Sequence, residues 1–179
     1  MPSSDPTRDP TQEDLLYLAG MFDGEGCVTV LRNNNHLQVS KVGRNRTATT
    51  EEASWFPRVS VKMTHADAVQ RFGDCFGGQV KLYRSNNVKH KDQWRWDLWR
   101  KDQILHFANT LAEHTVVKRP QLEALLLWYS MPIRRRGRGS TLSPEETRIR
   151  RLCYNKIRQS NKGMWDNLKH IGHGIHADL

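Results

Sequence analysis

Apolar and polar positions alternate between helical and strand-like spacing along the chain. Leu15, Leu16, Leu18, Ala19 and Phe22 recur at helical spacing. Thr11 stands ahead of them as a cap, with Glu13 and Asp14 in the first turn. Cys27 to Arg32 reads as a strand, Asn33-Asn34-Asn35 as a turn, and Leu37, Val39 and Val42 as a short return strand. A polar stretch over 43–54 predicts a long loop. Arg58 to Met63 then alternates strictly, with Val59, Val61 and Met63 inward. Thr64 to Asp67 resembles a capping box for a helix carrying Val69, Phe72 and Phe76, which stops at Gly77-Gly78. Val80 to Arg84 and Trp94 to Leu98 alternate as two further strands across a polar turn. Residues 102–113 predict a helix, and Pro120 opens another through Leu122, Leu125, Leu126 and Tyr129. Helix, two strands, helix, two strands, helix, helix is an α+β order with an antiparallel sheet.

The flanks differ. Residues 1–10 are polar and proline-rich and predict disorder. Residues 11–130 form the main domain, and 131–142 form a linker crowded with Arg134, Arg135, Arg136 and Arg138. Ser143-Pro144-Glu145-Glu146 starts a C-terminal helix over 143–160. Residues 161–179 form a basic tail without clear period, where His170, His173 and His176 are evenly spaced three apart but a zinc site would need a fourth ligand or an open position.

Charge adds a partner. Of 28 Lys and Arg, 13 lie from Lys118 onward, against 5 acidic residues there. A basic C-terminal third is expected to meet a polyanion, with nucleic acid the default candidate. No apolar run is long enough to span a membrane, and the polar start is no secretory signal. Cys27, Cys75 and Cys153 are odd in number and far apart, which predicts a reducing, intracellular compartment and no disulfide framework.

Candidate chemistry concentrates at residues 18–26, Leu-Ala-Gly-Met-Phe-Asp-Gly-Glu-Gly. Asp23 and Glu25 stand where a helix ends and a strand begins, at the negative end of the macrodipole. Acids there need a cation to neutralise them or a backbone geometry that uses them. Gly24 and Gly26 allow a sharp turn and close approach. An ordinary glycine C-cap on a core helix would leave the acids unexplained. The segment resembles the LAGLIDADG motif of homing endonucleases through Leu18, Ala19, Gly20, Asp23, Glu25 and Gly26. The resemblance extends over about residues 12–130 through the order of elements.

The resemblance implies a saddle-shaped, four-stranded antiparallel sheet with helices on one face. It implies a homing endonuclease that cuts both strands of a long pseudo-palindromic DNA site, the agent of intron or intein mobility. One motif implies a homodimer, with Ala19, Gly20 and Asp23 at the interface. Glu25 is the implied metal ligand and catalytic acid, with the Gly24 carbonyl beside it. Mg²⁺ is the implied cofactor, with Mn²⁺ or Ca²⁺ able to substitute in binding. Lys118 is the implied transition-state lysine, and His65 stands where relatives carry a residue touching the hydrolytic water. Outward sheet positions Thr29, Leu31, Asn33, Arg58, Ser60, Lys62, Lys81, Tyr83, Arg95 and Asp97 are candidate base readers. Arg134, Arg135, Arg136 and Arg138 are candidate phosphate contacts. No small-molecule substrate is implied. The alternative reading is an RNA maturase or a DNA-binding regulator that does not cut.

Overall fold

The computed structural model of the chain describes residues 5–33, 54–85, 91–130 and 143–162. The expected return strand at Leu37–Val42, the Arg134–Arg138 cluster and the C-terminal histidines lie outside them. The elements run α1 (Gln12–Glu25), β1 (Gly26–Asn33), β2 (Ser54–Met63), α2 (Ala66–Phe76), β3 (Gln79–Tyr83), β4 (Gln93–Leu98), α3 (Lys101–Leu111), α4 (Arg119–Ser130) and α5 (Pro144–Asn161).

The four strands form one antiparallel sheet in the order β1-β2-β4-β3. The inward side chains Val28, Val30, Val59, Val61, Trp96 and Leu98 are buried against Leu18, Phe22, Phe72, Phe76, Phe107, Leu111 and Leu125 from the helices. Phe72, Phe76 and Phe107 gather around Trp96, with ring centroids 4.9 Å apart for Phe72–Trp96 and 5.3 Å for Trp96–Phe107. The indole Nε1 of Trp96 donates to the Gly77 carbonyl at 2.6 Å, which ties β4 to the end of α2. Gly77 and Gly78 take φ of 69° and 87°, and a Cβ on Gly78 would lie 2.6 Å from the Asp97 carbonyl oxygen. Only glycine meets both demands.

α1 starts as expected, with Thr11 and Asp14 in a reciprocal capping box. α5 starts likewise on Ser143 and Glu146. α2 does not. Its N-cap is His65, without a side-chain cap, so Thr64 falls one residue ahead of the cap and Asp67 one residue short of the box position. β2 also begins earlier than alternation predicts, because Trp55-Phe56-Pro57 pairs with Leu31 and its neighbours although it breaks the period of two. Pro57 is tolerated because β4 reaches only Val59–Met63, so this part of β2 has a ladder on one side alone.

Residues 5–10 also depart from expectation. The Thr7 and Arg8 amides donate to the Asp74 carbonyl on α2 at 2.8 and 3.2 Å. The Arg8 guanidinium grips Asp14 at α1's start. At the other end of the chain, α5 packs on α4 and β1. Its Asn161 amide donates to the Val28 carbonyl at 2.8 Å and accepts from Gln121 at 3.3 Å. Among the described residues, no helix is long and apolar enough to cross a membrane.

Candidate active site and nucleic-acid interface

α1 ends at Glu25, and Gly26 begins β1 in an extended conformation with φ −72°. Gly26 is required for space and not for backbone freedom: a Cβ there would stand 2.3 Å from the Phe22 carbonyl oxygen. No basic residue occupies the last turn of α1. The helix-end carbonyls and two carboxylates therefore share one end without a cation from this helix.

The two carboxylates are treated differently. Asp23 accepts from the backbone N–H of Val116 and of Lys118, both at 2.8 Å. These amides belong to its own chain, in the connection from α3 to α4, so its amide-capping role is met within the protomer. Lys118 is the residue on which α4 starts, since its carbonyl accepts from Gln121 and Leu122 at 3.0 and 3.1 Å. One carboxylate thus fixes the position of the Lys118 backbone relative to the end of α1. Glu25, two residues on, is exposed. Among the described residues, no group of three His, Cys, Asp or Glu side chains stands close enough to hold a metal ion. Glu25 and the Gly24 carbonyl are hard oxygen donors, the class that divalent cations of the Mg²⁺ type accept together with substrate phosphates. In donor type they fit such an ion.

His65 follows the end of β2, and the register pairs Gly26 with Val61. His65 and the end of α1 are therefore at the same end of the sheet. His65 is exposed. Burial pushes the Cys27 thiol up, and the positive charges of Lys118 and Arg95 pull it back. The first outward residue of β1 thus sits within electrostatic reach of both the lysine and the sheet face.

α1 presents two faces. Ala19, expected at an interface, is only 1% exposed and belongs to the chain's own core. Gly20 and Gly24 lie on the other side, and a Cβ on either would meet nothing within 4 Å. Leu16, one turn earlier on that face, is 60% exposed. The open stripe is therefore Leu16, Gly20 and Gly24.

The sheet face turned away from the helices carries most of the expected readers. Cross-strand rungs set Thr29 beside Arg58, and Lys62 beside Arg95 and Lys81. Leu31 faces Phe56, and both are exposed. Phe56 was hidden in sequence by the irregular start of β2. Trp99, exposed just beyond β4, was hidden by lying outside the alternating run. Ser60 and Asp97 pair on one rung but are both buried, so neither can reach a base as a direct reader. Asp97 accepts from Arg58 Nε and from Arg95 Nε, each at 2.9 Å. Burial pushes the Asp97 carboxyl above the usual range, and Arg95 opposes this. Arg58 lies over the Trp99 ring at 5.0 Å and Arg95 over the Tyr83 ring at 5.4 Å. The Asn33 side chain and the linker arginines lie outside the described residues.

No family model and no curated protein matches the sequence. Solved structures do match. A complex of the homing endonuclease I-CvuI with its target in the presence of Ca has a TM-score of 0.59 at 14% identity, over 85% of this chain and 84% of that one. I-CvuI with the I-CreI target in the presence of Mg, the DNA not cleaved, gives 0.50 at 14% identity, over 82% and 96%. The LAGLIDADG homing endonuclease I-GzeII in complex with a DNA target gives 0.52 at 12% identity over 92% of this chain, which spans about half of that protein (50%). The motif at the α1–β1 joint, the order of elements and these likenesses together identify the chain as one with the LAGLIDADG homing-endonuclease fold.

Proposed function

We propose that the protein is a homodimeric, Mg²⁺-dependent DNA endonuclease of the homing type. The observation that carries this reading is the division of labour at the end of α1. Asp23 is spent on the backbone that carries Lys118, while Glu25 stays exposed beside an open glycine stripe. A second copy packed on Leu16, Gly20 and Gly24 would bring two Glu25 carboxylates together at the dyad. DNA-bound structures of the same fold support a duplex as the partner.

In this reading Glu25 and the Gly24 carbonyl would hold the divalent ion, which would supply water activation and charge neutralisation at the phosphate. Lys118 stands ready to stabilise the extra negative charge that develops on the phosphoryl oxygens. Asp23 keeps the Lys118 backbone in place, so no reorganisation is needed during the reaction. His65 orders water at the same end of the sheet. The outward sheet face lies in the major groove, with Leu31 and Phe56 suited to thymine methyl groups and the basic side chains to purine edges and phosphates.

The test is cleavage of the DNA spanning the insertion site of the protein's own gene, with Mg²⁺. Wild type is expected to cut both strands, and Glu25→Gln to bind the duplex without cutting. Full cleavage by Glu25→Gln overturns the ligand assignment. A monomer in solution, with and without DNA, overturns the two-chain site. Binding by wild type without cleavage leaves the regulator or maturase reading.

A further inference from the structure

We propose that Asp97 is a positioning residue that aims Arg58 and Arg95 as a matched pair of guanine readers. This rests on the proposed function, because it assumes that the outer sheet face meets duplex DNA.

The geometry begins with a single carboxylate in the middle of the face. Asp97 is 9% exposed as a side chain, while Arg58 and Arg95 are 19% and 18% exposed. The three come from two strands. Arg58 lies on β2 and the other two on β4, and the Ser60–Asp97 rung separates Arg58 from the Lys62–Arg95 rung. Each arginine gives Asp97 its Nε–H. No other group among the described residues forms a hydrogen bond or ion pair with their Nη atoms. A guanidinium has five N–H donors in a planar fork, so binding through Nε leaves the two Nη groups as the free end. That end matches the O6 and N7 acceptors of guanine.

The aromatic rings complete the constraint. A bond at Nε fixes the direction of the fork, and a ring within cation–π distance narrows the positions it can take. Trp99 does this for Arg58, and Tyr83 for Arg95. An arginine held in this way has already lost the side-chain freedom that a mobile reader must lose on binding. The carboxylate also offsets the repulsion between two guanidinium groups placed close together. Both Nε atoms lie 2.9 Å from the same carboxylate oxygen. Their separation is therefore under two base-pair steps, at about 3.4 Å per step. With the Nη ends extending beyond these anchors, the pair is placed to read guanines no more than two base-pair steps apart. Asp97 itself, buried between them, does not reach cytosine.

The experiment is selection of binding sites from a pool of randomised DNA duplexes in the presence of Ca²⁺, followed by affinity measurements on the selected sites. Wild type is expected to select two guanines within two base-pair steps in each half-site. Arg58→Ala removes one preference and Arg95→Ala the other. Asp97→Ala weakens both by about tenfold, the scale of one good bidentate contact. It leaves the other positions and the salt dependence unchanged. Asp97→Asn keeps the shape and sets an amide nitrogen within reach of Arg95 Nε, which approaches both carboxylate oxygens. It is expected to weaken the Arg95 position more than the Arg58 position, and it serves if the alanine variant does not fold. The double variant Arg58→Lys, Arg95→Lys keeps the charge and Asp97 but loses the planar fork held through Nε, and is expected to weaken both guanine preferences. The proposal is overturned if Asp97 variants leave both guanine preferences intact, or weaken every position alike as a purely structural residue would. A sharp wild-type preference without a guanine pair overturns the pairing alone. No sequence preference at all in wild type overturns the proposed function with it.

Discussion

The two ends of α1 handle acidic side chains in opposite ways. At the start, Glu13 and Asp14 lie where the helix dipole favours negative charge, and Asp14 is engaged by Thr11 and by Arg8. At the end, Asp23 and Glu25 lie where the dipole opposes them. Asp23 is compensated by two backbone amides from a distant connection, and Glu25 is left exposed. Acids at the first end serve the fold. The second end keeps one acid that the fold does not use, and that asymmetry marks the candidate site.

The contrast can be broken in graded steps. Asp14→Ala is expected to cost the most stability, about 2 kcal/mol, because it removes bonds to Thr11 and to a charged partner, as read from denaturant unfolding. The Arg8 guanidinium holds the Asp14 carboxyl well below the usual carboxylate range. A depressed carboxylate stabilises the fold above its unfolded-state pKa, about 4, and that stability is lost as the pH falls through the folded-state value. Asp14→Asn should therefore flatten the acid limb of a stability-against-pH curve. Asp23→Ala comes next, at about 1.5 kcal/mol. It should also slow cleavage without weakening duplex binding, since Lys118 loses its anchor; unchanged cleavage would separate the two residues. Gly20→Ala should raise helix stability by about 0.5–1 kcal/mol in a monomer. If the glycine stripe is an interface it should also weaken the dimer, which sedimentation would register. Glu25→Gln should have the smallest effect on folding, a slight rise in melting temperature as charge leaves the dipole's negative end. Its effect on cleavage should exceed about a hundredfold, beyond the usual loss from a supporting residue. A large loss of stability in this variant would erase the contrast between the ends.

Sequence reading reached local features well and long-range ones poorly. The Thr11 cap of α1 and the capping box of α5 were legible because the groups involved lie within three residues of each other. The alternation of β2 past Arg58 was legible because Val59 and Val61 are buried while Arg58 and Lys62 are not; β3 was legible as a strand although none of its side chains is buried. The start of β2 was not, because consecutive Trp55, Phe56 and Pro57 look like a break in the pattern. Asp23 could be read as an amide cap, but residues 116 and 118 lie more than 90 positions away and only the packed chain brings them to it. Asp97 reads as an outward polar position in one strand, and its burial between two arginines exists only once β2 and β4 are in register. Ala19 shows the limit of the motif itself, since its small size serves the chain's own core rather than the open side of α1.

The contact between Asn161 and the Val28 carbonyl bears on how the protein is made. Among the described residues β1 is one border of the sheet, and an uncovered border can pair with another chain. The side chain that caps the Val28 carbonyl comes from the last turn of α5, far along the order of synthesis. A nascent chain that has emerged only as far as α4 lacks the contacts that α5 makes with β1. Completion of α5 then adds that cover, and truncation ahead of α5 should show first as lower soluble yield during expression.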